Sequence, residues 1–249
     1  MKHHIHFFGC SQTAGDELSD EKWFPWKQQV HTAEEYYRRR DNFFENNWNE
    51  YLKYLSDNKK SAYPALIETD KLRTYNHARN GHSLRTCVLD ALMLINSDTP
   101  VDMIIFQIPP VGRELFIDKS GDAQSIQATI LNERSSWYEY LRTRVLTHDH
   151  RQYAVEDIMD MIMFNGYVQN SGIPFMFIEL SGEMDYRIAD VSSLSKYEAL
   201  LRGLSTISIT KLQDKLLGTE LLGHHFSSKG HEIIAAFLTN EILQTLNIK

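Results

Sequence analysis

Short, nearly all-apolar runs alternate along this chain with longer segments of helical periodicity, and few folds accommodate that alternation. The runs are Ile5–Phe8, Leu72–Asn76, Met103–Gln107 and Pro174–Leu180. A strand buried on both faces reads as a continuous apolar stretch, whereas one with a solvated face alternates. Strands of this kind separated by helices define βα units around a largely parallel sheet, so the expected class is α/β. Helices are expected over Ser83–Ile95, Ala123–Val145, Tyr153–Tyr167 and Gly230–Leu246. The 249 residues suit a single domain, 1–249, with a core large enough to need neither a disulfide nor a metal.

One stretch stands apart. Residues 20–60 are rich in aromatics and read as a helical insertion. Thr32, with Glu35 three residues on, has the pattern of a capping box that starts a long helix. Phe44, Trp48, Tyr51, Leu52 and Leu55 follow on one face, as core-packing residues or as a lid over a site.

Charge excludes little but points away from nucleic acid: 26 Lys and Arg against 33 Asp and Glu give −7. The run Arg38–Arg40, flanked by Glu34, Glu35 and Asp41, reads as a solvated helix face. Cys10 and Cys87 are too few for a disulfide framework and read as thiols in a reducing compartment. Met1–Ile5 has no signal-length apolar segment, and no stretch reaches the roughly 20 apolar residues that span a bilayer. The expectation is a cytoplasmic protein without a membrane partner.

Three segments carry chemistry. Gly9-Cys10-Ser11-Gln12-Thr13-Ala14-Gly15 follows the first strand directly, at the sheet edge where α/β proteins bind ligands. Ser11 on that turn is either a nucleophile or a helix cap. Asn76-His77-Ala78-Arg79-Asn80-Gly81 follows the second strand, and a glycine there offers an unblocked N–H to an oxyanion or serves an ordinary turn. His224, His225 and His231 lie around the start of the last helix. Such histidines are general bases, caps or metal ligands, but no acid or thiolate stands beside them at ligand spacing. His148-Asp149-His150 reads as a solvated turn. Arg113-Glu114, beyond the third strand, reads as a substrate-binding pair or a local ion pair.

Taken in order, these segments resemble the SGNH (GDSL-like) hydrolases. Gly9 to Gly15 is similar to the family's Gly-Asp-Ser-x-Thr-x-Gly block, and Gly9 to Leu18 to a subgroup block Gly-Cys-Ser-x-Thr-Ala-Gly-Asp-Glu-Leu. Gly81 stands for the second-block glycine, and His225 followed by Gly230-His231 for the last block. The resemblance implies a flavodoxin-like three-layer sandwich with Ser11 as nucleophile and His225 as general base. It implies Ser11 and Gly81 N–H groups as oxyanion donors and no metal or cofactor. Two family residues are missing. Pro109 stands near the expected third-block asparagine, leaving Gln107 as an alternative amide donor. Leu222 stands where an acid usually orients the histidine, leaving Glu220 or a backbone carbonyl to do so.

The function implied is a serine ester hydrolase, an esterase or deacetylase of a small polar or carbohydrate-like ester, acting through an acyl-serine. An acyltransferase using the same serine is the near alternative. A binding or structural protein with weakened catalysis is the distant one.

Overall fold

The computed structural model describes residues 2–45, 47–79, 81–117, 123–127, 143, 149, 151–219 and 225–248. Seven strands lie in them: β1 (His3–Phe8), β2 (Leu72–Asn76), β3 (Met103–Gln107), β4 (Arg113–Ile117), β5 (Ala123–Gln127), β6 (Phe175–Glu179) and β7 (Ile209–Lys211). Helices α1 (Ser11–Ala14), α2 (Asp20–Trp23), α3 (Ala33–Phe44), α4 (Trp48–Ser61) and α5 (Tyr63–Leu66) follow β1. Helix α6 (Leu84–Ile95) follows β2, and α7 (Arg151–Ser171) precedes β6. Helices α8 (Glu183–Ser192) and α9 (Glu198–Leu204) link β6 to β7, before α10 (Gln213–Leu216) and α11 (Ser228–Thr245).

Five strands form one sheet in the order β2-β1-β3-β6-β7, every pair parallel. This is the doubly wound α/β architecture expected from the apolar runs. Side chains two apart share a face. Ile5 and Phe7 accordingly join Ile105, Ile178, Ile234 and Leu238 in the layer formed with α5, α10 and α11. Phe8 joins Phe106, Ile158, Phe164 and Phe177 in the layer formed with α6 and α7. The strand order reverses between β1 and β3, so their carboxyl ends open the crevice in which such sheets bind ligands.

Three expectations are corrected. Ala123–Gln127 is a strand paired antiparallel with Arg113–Ile117, and no helix starts at Ala123. The rest of the helix expected to Val145 lies outside the described residues apart from Thr143. The Ala-Gln-Ser-Ile-Gln spacing suits a helix, but pairing with Arg-Glu-Leu-Phe-Ile overrides so weak a propensity. The long helix expected from Thr32 is two helices. Thr32 does cap α3, accepting from Glu35 N–H at 3.3 Å, but Asn47 leaves helical geometry (φ −132°, ψ 55°) and starts α4 anew.

The third correction is Arg40, whose side chain is only 14% exposed and donates from its guanidinium to Asp16 Oδ2 at 3.1 Å. The aromatic stripe mostly packs, with Phe24, Tyr36, Phe44 and Tyr54 forming a satellite core. Trp48 alone of the stripe's aromatics stays largely outside, at 66% exposure. The three-residue strand β7 is the one member of the five-stranded sheet that the apolar pattern did not reveal.

Candidate active site

Ser11 is the first residue of α1, immediately beyond the carboxyl end of β1. The turn that presents it is compressed. A Cβ added at Gly9 would lie 2.4 Å from Thr13 Oγ1 and 2.7 Å from Gln107 Oε1, so only glycine fits there. Gln107, the last residue of β3, fastens the turn from below. Its Oε1 accepts from Cys10 N–H at 3.0 Å and from Thr13 Oγ1–H at 3.2 Å. Its amide nitrogen donates to Ile108 O and, at 3.4 Å, to Gln12 Oε1. Those bonds engage the amide hydrogens away from Ser11, so Gln107 braces the turn instead of presenting the amide expected for an oxyanion. Gly9→Ala should therefore cost about 1–3 kcal/mol by overpacking, read as a lower midpoint in urea unfolding, and should lower turnover by displacing Ser11.

His225 approaches from the loop before α11. Its Nε2 stands 2.8 Å from Ser11 Oγ and its Nδ1 2.8 Å from Glu17 Oε1. An ionised carboxylate only accepts hydrogen bonds, so Nδ1 carries the proton. Nε2 is then left with a lone pair facing the serine hydroxyl. All three side chains are buried, Ser11 remaining 7% exposed.

The group that meets His225 Nδ1 is the carboxylate of Glu17, where a backbone carbonyl or Glu220 was expected. The acid comes from six residues after Ser11, not from the histidine's own loop. Leu222, Glu220 and His224 lie outside the described residues. Glu17 adopts a left-handed backbone, φ 70°, directly beyond the end of α1, which turns its carboxylate back under His225.

Burial alone would raise the Glu17 pKa. The hydrogen bond and charge of His225, together with Lys27, outweigh burial and hold it below the usual carboxylate value. Lys27 Nζ donates to Glu17 Oε2 at 3.2 Å and to Asp20 Oδ2 at 2.5 Å. Asp20 also accepts from Tyr36 at 2.7 Å and Tyr54 at 2.9 Å. The aromatic segment is thus the scaffold that fixes the acid. Asp16, next in sequence, faces elsewhere: Arg40 and Tyr54 hold it, and it stays 4.0 Å from His225 Nε2.

The loop after β2 adjoins this turn. Asn76 Nδ2 donates to Thr13 O at 2.9 Å, and Cys87 Sγ, at the start of α6, to Gly9 O at 3.5 Å. Gly81 has φ 81°, and a Cβ there would meet nothing within 4 Å, so its backbone borders open space. Arg113 donates from Nη1 to His82 O at 3.2 Å and so braces the Gly81 loop. His231 is far from a base in character. It is fully buried, its Nδ1 accepts from Tyr63 N–H at 3.0 Å, and burial drives its pKa down to about 3. Of the histidine run His148-Asp149-His150, only Asp149 is described, and it pairs with Arg151.

No family model matches the sequence, and no curated protein matches it. Solved structures do. A carbohydrate acetylesterase family member from Sinorhizobium meliloti is similar over 100% of both chains, with a TM-score of 0.50 at 10% identity. An active-site mutant of a family two carbohydrate esterase from Clostridium thermocellum is similar over 99% of this chain and 65% of its own, with a TM-score of 0.50 at 11% identity. The likeness is one of fold: these carbohydrate esterases share the chain's doubly wound α/β architecture. Described helices include none long and apolar enough to cross a membrane.

Proposed function

We propose that this chain is a serine ester hydrolase of the SGNH type, with Ser11 as nucleophile, His225 as general base and Glu17 as the acid that orients it. The observation that carries this reading is the unbroken relay Ser11 Oγ–His225–Glu17, with both contacts at 2.8 Å. A serine hydroxyl is a weak nucleophile until a base removes its proton. His225 Nε2 takes that proton as Oγ bonds to the acyl carbon, and Glu17 stabilises the imidazolium that forms. The N–H groups of Ser11 and Gly81 receive the developing oxyanion.

His225 then returns its proton to the leaving alkoxide oxygen, the ester C–O bond breaks, and an acyl-serine remains. Water deprotonated by His225 attacks that acyl group and regenerates Ser11. No metal or cofactor enters any step. With Gln107 turned inward, its side-chain amide does not join the two backbone donors. A missing donor of that kind costs roughly 10²–10³ in turnover in known cases, so a modest rate on simple esters is expected.

The substrate proposed is a small acyl ester, such as an acetyl ester, on a polar or carbohydrate-like alcohol, in keeping with the carbohydrate esterases of this fold. Arg113, which braces the Gly81 loop through His82 O, is the side chain proposed to meet that alcohol. The test is release of 4-nitrophenol from 4-nitrophenyl acetate, with acetylated sugars as the second substrate set. Hydrolysis that saturates with substrate supports the reading. An alcohol such as glycerol, added to the assay, distinguishes transfer from hydrolysis by the appearance of its acyl ester. A folded protein inactive on every ester and without transfer would overturn it.

A further inference from the structure

Edge strand β2 and helix α4 enclose a groove of about 700 Å³. A second hollow of about 380 Å³, towards α6, shares Lys59, Asn76 and Arg79 with the first. One wall of the groove is apolar, with Tyr51, Leu52 and Leu55 of α4. The residues common to both hollows are cationic or polar, in a chain whose net charge is −7.

Lys59 and Arg79, the cations at this junction, form no ion pair among the described residues. Lys60 is engaged by Asp57 at 3.3 Å, and Glu68, the groove's acid, pairs with Lys2 at 3.7 Å. Lys59 Nζ spends one donor on Asn76 O at 3.2 Å. Arg79 is exposed; its carbonyl accepts from His82 N–H at 3.3 Å, and its guanidinium forms no hydrogen bond or ion pair among the described residues. Burial first, and then the charge of Arg79, depress the Lys59 pKa. Asp90, in the smaller hollow, is the carboxylate facing Arg79, and its own pKa is raised by burial. Two like charges held together in a half-buried site raise its energy, and a bound anion removes that cost.

The junction is also wired to the proposed nucleophile turn. Asn76, between the two hollows, donates to Thr13 O at 2.9 Å and accepts from Ala78 N–H at 3.1 Å. Ala14, at the end of α1, lines the groove itself. Arg79 stands two residues before Gly81.

Building on the proposed esterase reading, we infer that this groove binds the anionic part of the substrate, an acyl-bearing glycan that carries a carboxylate, sulfate or phosphate group. Lys59 and Arg79 meet the charge. Tyr51, Leu52 and Leu55 cover the C–H face of a sugar ring, since an aromatic or aliphatic wall beside a few polar groups is how such sites take amphipathic rings.

The test separates binding from catalysis. Calorimetry on the full-length Ser11→Ala protein measures binding of oligogalacturonate, a sulfated galactan oligomer, a sugar phosphate and a neutral galactan oligomer at low salt. At least one anionic probe should bind tenfold or more tightly than the neutral one. That preference should shrink on raising salt. It should fall at least tenfold in Ser11→Ala/Arg79→Ala, where the exposed position leaves folding unaffected, and further when Lys59→Met is added. Hydrolysis of 4-nitrophenyl acetate is measured in parallel on protein retaining Ser11. Equal binding of neutral and anionic probes, no binding of any, or an anion preference untouched by both substitutions would overturn the inference. Loss of ester hydrolysis with the anion preference intact would instead count against the esterase reading alone.

Discussion

Glu17→Gln should lower kcat for ester hydrolysis by about 10³–10⁴ while KM changes little. The comparable aspartate-to-asparagine exchange in a serine protease triad costs about 10⁴ with the geometry intact. The reason transfers to this site. Glu17 Oε1 accepts from His225 Nδ1 at 2.8 Å and so leaves Nε2 free to receive the Ser11 proton. An amide whose N–H faces Nδ1 forces the ring proton onto Nε2, where it blocks that transfer. The imidazolium also loses its counter-charge. KM is spared because Glu17 is fully enclosed behind His225. Asp16→Asn is the internal control. Asp16 is held by Arg40 and Tyr54 and lies 4.0 Å from Nε2, so its replacement should cost less than tenfold in kcat. A large loss in Asp16→Asn with near-normal turnover in Glu17→Gln would mean that the acid is misassigned.

The second large effect is non-additive. Ser11→Ala and His225→Ala should each lower kcat by about 10⁵–10⁶, and the double variant should be no slower than the worse single one. Groups that act in one proton-transfer step behave in this way, as the subtilisin triad does. Independent contributions would instead multiply, placing the double variant many orders of magnitude lower. Steady-state rates at several enzyme concentrations, with unfolding curves to confirm folded protein, make the comparison. Multiplying losses would show that Ser11 and His225 do not share a step, despite their 2.8 Å contact.

Legibility in the sequence varied with the range of the interaction that fixes each feature. The four apolar runs marked β1, β2, β3 and β6 because a strand buried on both faces needs a continuous apolar stretch. β7 has three residues, partly exposed, and leaves no such trace. The β4–β5 hairpin was hidden by the helical spacing of Ala123–Gln127, although the polar stretch Asp118-Lys119-Ser120-Gly121-Asp122 is a turn signal that argues for a hairpin.

In the site, the meeting of Ser11 with His225 was legible because each sits in a short block with a chemical rationale. Glu17 was not, although it stands in the first block itself. Its role depends on a left-handed backbone at Glu17 and on a contact spanning 208 residues, neither of which spacing encodes. The available signal was two acids directly beyond the nucleophile turn, followed by Lys27 and an aromatic segment able to bury them. The run Arg38–Arg40 misled for a related reason. Flanking acids suggest solvent, while Arg40 is drawn inward by Asp16, a partner 24 residues away.

The central claim is that Ser11 is an activated serine, and covalent labelling with a fluorophosphonate tests it most directly. Wild-type protein should gain one adduct, located on Ser11 by peptide mass spectrometry. Ser11→Ala and His225→Ala should gain none, and Glu17→Gln should label far more slowly than wild type. A folded wild-type protein that stays unlabelled between pH 6 and 9, or an adduct that persists in Ser11→Ala, would contradict the account.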